Sequence, residues 1–163
     1  MDEVFAPPGN AWRPVSPALA RLRRVTLLAV AVVLLVAVVV AGMLAPLPRG
    51  LVALACVVLV LATIFGGVLI GRNARWWGYA ERDEDLYIKH GALFRKLVVV
   101  PYGRMQYVDV QAGPLDQLFG VANVHLHTAS PGTSARIPGL PAAEATRLRD
   151  RLTSLGEAQA AGL

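Results

Sequence analysis

The sequence predicts a membrane-embedded helical hairpin followed by a small α+β domain. Three patterns carry that expectation. Two apolar runs, residues 25–44 and 51–71, contain no charged side chain. Past residue 76 the apolar positions switch to a period of two, the pattern of strands. Near the end, Ala145, Leu148, Leu152 and Leu155 recur at helical spacing and form one apolar stripe.

Each run is long enough to cross a bilayer. An α-helix rises about 1.5 Å per residue and the hydrocarbon core is about 30 Å thick, so roughly 20 apolar residues span it. Val25–Leu44 and Leu51–Gly71 reach that length, and neither carries the polar face that a soluble helix keeps. Between them, Pro46 and Pro48 interrupt helical hydrogen bonding and Gly50 eases a turn. The expected result is a tight antiparallel hairpin. Small residues four apart let helix backbones approach in lipid, so Ala37 with Ala41, Ala62 with Gly66, and Gly67 with Gly71 are the expected contacts.

Basic residues set the orientation. Arg21, Arg23 and Arg24 precede the first span, Arg72 and Arg75 follow the second, and the tip holds Arg49 alone. Basic residues are retained on the cytoplasmic side, which predicts a multi-pass protein of the plasma membrane with both termini cytoplasmic. The first run is longer than a signal-peptide core, and Pro46 follows its one cleavage-like site, so cleavage is not expected. Trp76, Trp77 and Tyr79 come directly after Arg72 and Arg75, the order expected of interfacial aromatics.

The net charge of +5 then needs no nucleic acid to explain it. Residues 1–75 hold seven arginines against Asp2 and Glu3, whereas residues 76–163 hold nine basic and nine acidic side chains. The basic excess flanks the spans, and no basic stripe in the second half would follow a phosphate backbone. The one cysteine, Cys56, lies within the second span and reads as a packing residue.

In order, residues 1–20 read as a mobile tail, because Pro7, Pro8, Pro14 and Pro17 break any packed element. Residues 21–75 form the transmembrane hairpin, 76–156 the cytoplasmic domain and 157–163 a frayed tail. Strands are expected at residues 85–90, with Leu86 and Ile88 on one face, and at 93–100, where three consecutive valines suggest burial on both sides. Further strands are expected at 105–111 and 121–128, with His125 and His127 opposite Val124 and Leu126, and at 135–137, ended by Pro138 and Gly139. The final helix begins at Pro141, with Glu144 near its positive end and Gly156 closing it. Arg147, Asp150, Arg151 and Ser154 are expected to face away from the domain.

The order of short motifs resembles the bacterial membrane-flanked pleckstrin-homology-like (PH-like) domain family. After a two-helix hairpin comes Pro101-Tyr102-Gly103-Arg104-Met105-Gln106-Tyr107-Val108, similar to the family's IPY-x-x-I-Q-x-V stretch. Gly113-Pro114-Leu115 and Phe119-Gly120 resemble its G-P-L-x-R-x-F-G, and Thr128-Ala129 and Ile137-Pro138-Gly139-Leu140 its last strand and turn. Val100 stands where the family has Ile, and Gln117 where a basic residue is common. The resemblance covers residues 20–155 and implies a PH-like antiparallel two-sheet barrel capped by the C-terminal helix. It also implies a binding or assembly platform, since fold alone fixes no activity.

No catalytic constellation is visible. His125 and His127 share a strand face, but nothing brings a third metal ligand near, and no nucleophile sits beside a base. No enzyme activity, cofactor or metal is therefore expected. The expected role is a protein-interaction or assembly module at the inner membrane face, partnered by the bilayer and by a membrane or cytoplasmic protein, a related PH-like protein included. The alternative is a module for anionic lipid headgroups, with Arg95, Lys96 and Arg104 near predicted turns as the contacts for either role.

Overall fold

The structure is a computed structural model that describes residues 9, 11–45, 47–128 and 134–161. Pro7, Pro8, Pro46 and Ala129, used in the sequence reading, lie outside the described residues. The chain forms two units, Ala20–Arg72 and a folded unit of Asn73–Leu163 that also takes in the chain up to Leu19.

Helices α1 (Pro17–Leu44) and α2 (Arg49–Trp76) have 28 residues each, so both extend beyond the apolar runs into the flanking arginines. Both are long and apolar enough to cross a membrane, and their apolar stretches are not buried within the protein. The less exposed positions include Leu27, Ala31, Leu35, Val38 and Gly42 on α1, and Val52, Cys56, Leu59, Thr63, Gly66, Gly67 and Gly71 on α2. Leu27 packs at Gly66 and Val52 at Gly42, so the pair is antiparallel. A Cβ on Gly42 would stand 2.7 Å from Val52 Cγ2, so only a glycine fits beside Val52 there. Ala37, Ala41 and Ala62 are exposed, which corrects the contacts expected at those alanines, whereas Gly66 meets Leu27, Gly67 offers its carbonyl to Arg24 and Gly71 also meets Arg24. Steps of four alone drift around a helix; alternating steps of three and four hold one seam.

The folded unit has two antiparallel sheets. β1 (Arg13–Pro14), β2 (Gly78–Glu81), β3 (Asp85–His90) and β4 (Lys96–Pro101) form one, in that order. β5 (Met105–Gln111), β6 (Val121–Thr128) and β7 (Ala135–Pro141) form the other. No ladder joins them among the described residues, so the barrel is not closed. A 3-10 turn at Tyr102–Arg104 links the sheets, α3 (Pro114–Leu118) links β5 to β6, and α4 (Ala142–Ala160) completes the chain.

The core lies between the sheets and α4. Leu86 and Ile88 point inward, as do Val124, Leu126, Ile137 and Leu140, and α4 closes the space with Ala145, Leu148 and Leu152. Leu155 packs at its margin. Tyr102 is fully buried and its hydroxyl donates to the Arg82 carbonyl at 2.9 Å. Burial pushes its phenol pKa up to about 12.

Four expectations change. The tail is ordered from Arg13: β1 pairs with β2, and Val15, Ala18 and Leu19 enter the core. Ser16 caps α1, its Oγ accepting the Ala18 N–H at 3.2 Å, and its own N–H donates to the Gly139 carbonyl at 3.0 Å. Prolines at Pro14 and Pro17 suit an edge strand and a helix start, so they shape this segment without excluding it. β4 is an edge strand whose valines alternate: Val100 is buried and Val99 exposed. β7 continues through Pro138 and Gly139, because two residues there bulge opposite Asn123. Gly139 supplies the positive φ of +67°, and a Cβ there would sit 2.6 Å from that of Leu19. Finally, α4 runs past Gly156 to Ala160, because that glycine faces Met105 and the Tyr102 carbonyl inside the helix.

Candidate functional site

Three surfaces of the folded unit concentrate polar or exposed chemistry. The first is an ion network over α4. Glu81 on β2 and Glu144 in the first turn of α4 converge on Arg147, which holds both carboxylates in two-pronged contacts of 2.6–3.3 Å. Arg151 reaches Glu81 at 2.9 Å and Arg13 reaches Glu144 at 3.0 Å. The Tyr79 hydroxyl donates to Glu144 at 2.6 Å. The Arg147 guanidinium, helped by Tyr79 and Arg13 against the effect of burial, holds the Glu144 carboxyl down at about 2. Burial and the bond to Glu144 raise Tyr79 to about 12. Both carboxylates are thus committed to guanidinium partners, an arrangement that ties β1, β2 and α4 together. Arg147 and Arg151 do not face away from the domain, which corrects that expectation; their long side chains reach back to β2.

Tyr79 is also corrected as an interfacial aromatic. It is 1% exposed, so its ring is closed inside the core and reaches no headgroup. Trp76 and Trp77 are half-buried at the surface. The Arg95 guanidinium lies 3.9 Å over the Trp76 ring, and His90 stacks on Trp77 at 4.7 Å. Burial, then Lys96, lowers the pKa of His90.

The three cations expected to act together are separated. Arg95 and Lys96 stand at the start of β4, whereas Arg104 lies beyond its end. A strand advances about 3.3 Å per residue, so the six residues of β4 part them by well over a phosphate's reach, roughly 17 Å along the strand alone. Among the topology-setting residues, antiparallel pairing puts Arg21, Arg23, Arg24 and Arg72 at the same end of the hairpin, with Arg75 one turn further along α2. Arg24 donates to the Gly67 carbonyl at 3.3 Å, so it also laces the two helices together.

The histidine face behaves as a surface cluster. His127 meets Asp109 at 3.3 Å and stacks on Tyr107 at 4.2 Å. Among the described residues no group of three His, Cys, Asp or Glu side chains is placed to hold a metal ion.

Beside it is a groove of about 310 Å³ between β5 and α4, lined by Met105, Gln106, Tyr107 and Val108 on one side and Leu152, Thr153, Gly156 and Glu157 on the other. β5 is the edge of its sheet, so its outer side has no strand partner among the described residues. Sequence patterning marked β5 but not the groove, which depends on Gly156 keeping that turn of α4 narrow.

A polar hinge connects the family-like motifs. The buried Asn123 donates to Asp116 at 3.0 Å and accepts the Gly139 N–H at 3.3 Å, while Asp116 accepts the Gly113 N–H at 3.0 Å. The turn around Pro114 and the bulge at Pro138–Gly139 are therefore one structural feature.

Comparison with known proteins agrees with this architecture. The chain matches the bacterial PH domain family over residues 18–155. It is 30% identical over 149 residues to the UPF0699 transmembrane protein YdbS of Bacillus subtilis (strain 168), covering 91% of this chain and 92% of that protein. No solved structure matches.

Proposed function

The chain belongs to the bacterial PH domain family, and from that premise we propose that this membrane protein is a non-catalytic assembly module, holding its folded unit at the inner face of the plasma membrane for a protein partner. The supporting observation is the groove at the open edge of β5. An unpaired strand edge offers a row of main-chain donors and acceptors, which only another extended segment can satisfy in full. The neighbouring partly exposed apolar side chains, Met105 and Val108, give side chains of such a segment a place to lodge. The partner is an extended segment of a second membrane protein, with a related PH-like protein as the class to examine first. In this reading the two helices cross the membrane as a hairpin and both termini are cytoplasmic, as the placement of the basic residues favours.

A photo-crosslinking residue at Thr153, which lines the groove, tests this in cells. A discrete adduct at residue 153, lost when Gly156→Arg fills the groove and absent from a probe at the outward Asp150, is the expected result. Equal labelling at residues 153 and 150 counts against the groove.

The alternative, recognition of anionic headgroups, keeps one supporting observation. The turn between β3 and β4 exposes Leu93 and Phe94 next to Arg95 and Lys96.

A further inference from the structure

Leu93 and Phe94 are 75% and 90% exposed. Isolated apolar residues on a surface are ordinary; these two differ in what surrounds them. The chain has three tryptophans, and all three stand against the β3–β4 hairpin. Lys89 lies 4.3 Å over Trp12, His90 stacks on Trp77, and Arg95 lies over Trp76. Residues 86–100 contain Lys89, Arg95 and Lys96 and no acidic side chain. Gly91, at a φ of +95°, turns the chain so sharply that a Cβ there would collide with the Phe94 carbonyl, and the apolar pair is carried on that turn.

Tryptophan rings paired with basic side chains, next to an exposed apolar pair on the same hairpin, have the composition of an element made for a bilayer surface. Trp76 is moreover the last residue of α2, so one of the rings is a direct continuation of a membrane-crossing helix. We infer that the β3–β4 turn is a membrane-insertion device: Leu93 and Phe94 enter the acyl boundary of an anionic lipid surface, with Arg95, Lys96 and Lys89 at headgroup level. The occupant is lipid, because the cations complement anionic headgroups and one of the rings, Trp76, ends the spanning helix. The device deepens the lipid-surface reading and is independent of the groove on β5. It orients a domain that a tether alone would leave free to tumble.

The test uses the full chain with Cys56→Ala and Ala92→Cys, labelled with an environment-sensitive fluorophore and reconstituted in phosphatidylcholine vesicles with or without phosphatidylglycerol. Iodide on both sides reports water access, and lipids carrying a shallow spin label report insertion; a label at Asp150 is the aqueous reference. At residue 92 the spin-labelled lipid should quench strongly and iodide weakly, more so in anionic vesicles, with the opposite at residue 150. Leu93→Ser with Phe94→Ser should abolish lipid quenching without moving the thermal unfolding midpoint. Lys96→Gln should weaken insertion about fivefold in anionic vesicles, from the attraction of one basic residue to such a surface. Iodide quenching at residue 92 equal to that at residue 150 in both vesicle types overturns the inference. Insertion indifferent to phosphatidylglycerol and to Lys96→Gln overturns the anionic assignment.

Discussion

Two faces of the folded unit use arginine in opposite ways. Over α4, Arg147 is gripped by Glu81 and Glu144, and its charge is cancelled where it stands. On the β3–β4 hairpin, Arg95 lies over the ring of Trp76, and a stretch of fifteen residues, 86–100, carries no acid at all. The equal numbers of acidic and basic side chains after residue 75 therefore conceal a polarised surface. Glu81 and Glu144 fasten α4 to β2, whereas the hairpin's own sequence supplies cations and no carboxylate. A net charge of zero is evidence about the whole domain and not about any one face of it.

The comparison predicts a graded series of effects. Truncating the apolar side of α4 should be the most damaging. Leu148 has no exposed surface, so Leu148→Ala should cost about 3 kcal/mol, measured by chemical unfolding in mild detergent. Glu144→Ala should come next, at about 2 kcal/mol, because it leaves the buried Tyr79 hydroxyl without its acceptor and removes a partner of Arg147. A cost indistinguishable from zero would mean that the α4 network is ornamental and the contrast between the faces is void.

Acid should reveal the same network. The Glu144 carboxyl titrates at about 2 in the folded protein against its ordinary 4.5. The folded state thus binds that proton less readily than the unfolded chain, so its contribution is complete above pH 4.5 and is lost as pH falls towards 2. Unfolding midpoints measured across that window should fall with pH, and Glu144→Gln should flatten the slope. An unchanged slope would assign the acid sensitivity to other carboxylates.

Sequence patterning reached the periodic parts of this fold. The two apolar runs, the alternation at residues 85–90 and 121–128, and the stripe from Ala145 to Leu155 all have the placement that their spacing implies. What it missed depends on partners far away in the chain. Pro14 and Pro17 read as breakers, yet β1 is held by β2, more than sixty positions later. Pro138 and Gly139 read as the end of a strand, yet the Asn123 side chain satisfies the bulge and Leu19 packs on it. Tyr79 read as an interfacial ring because it follows two tryptophans, but strand alternation and Glu144 turn it into the core. The hairpin tip was readable in principle. Leu93-Phe94-Arg95-Lys96 follows a glycine turn, but treating residue 93 as the start of a strand hid the exposure of the apolar pair.

The smallest expected effect sharpens the contrast most. Phe94→Ser should shift unfolding free energy by less than about 0.5 kcal/mol, because a ring that is 90% exposed forfeits little packing. A much larger loss would show that the ring is packed within the fold and not presented to lipid. In detergent the micelle can cover an exposed ring, so the comparison with Leu148→Ala should be made at several detergent concentrations. A Phe94→Ser penalty that grows with detergent while the Leu148→Ala penalty stays constant would place the ring in contact with an amphiphile, which is the behaviour expected of a side chain built for a membrane surface.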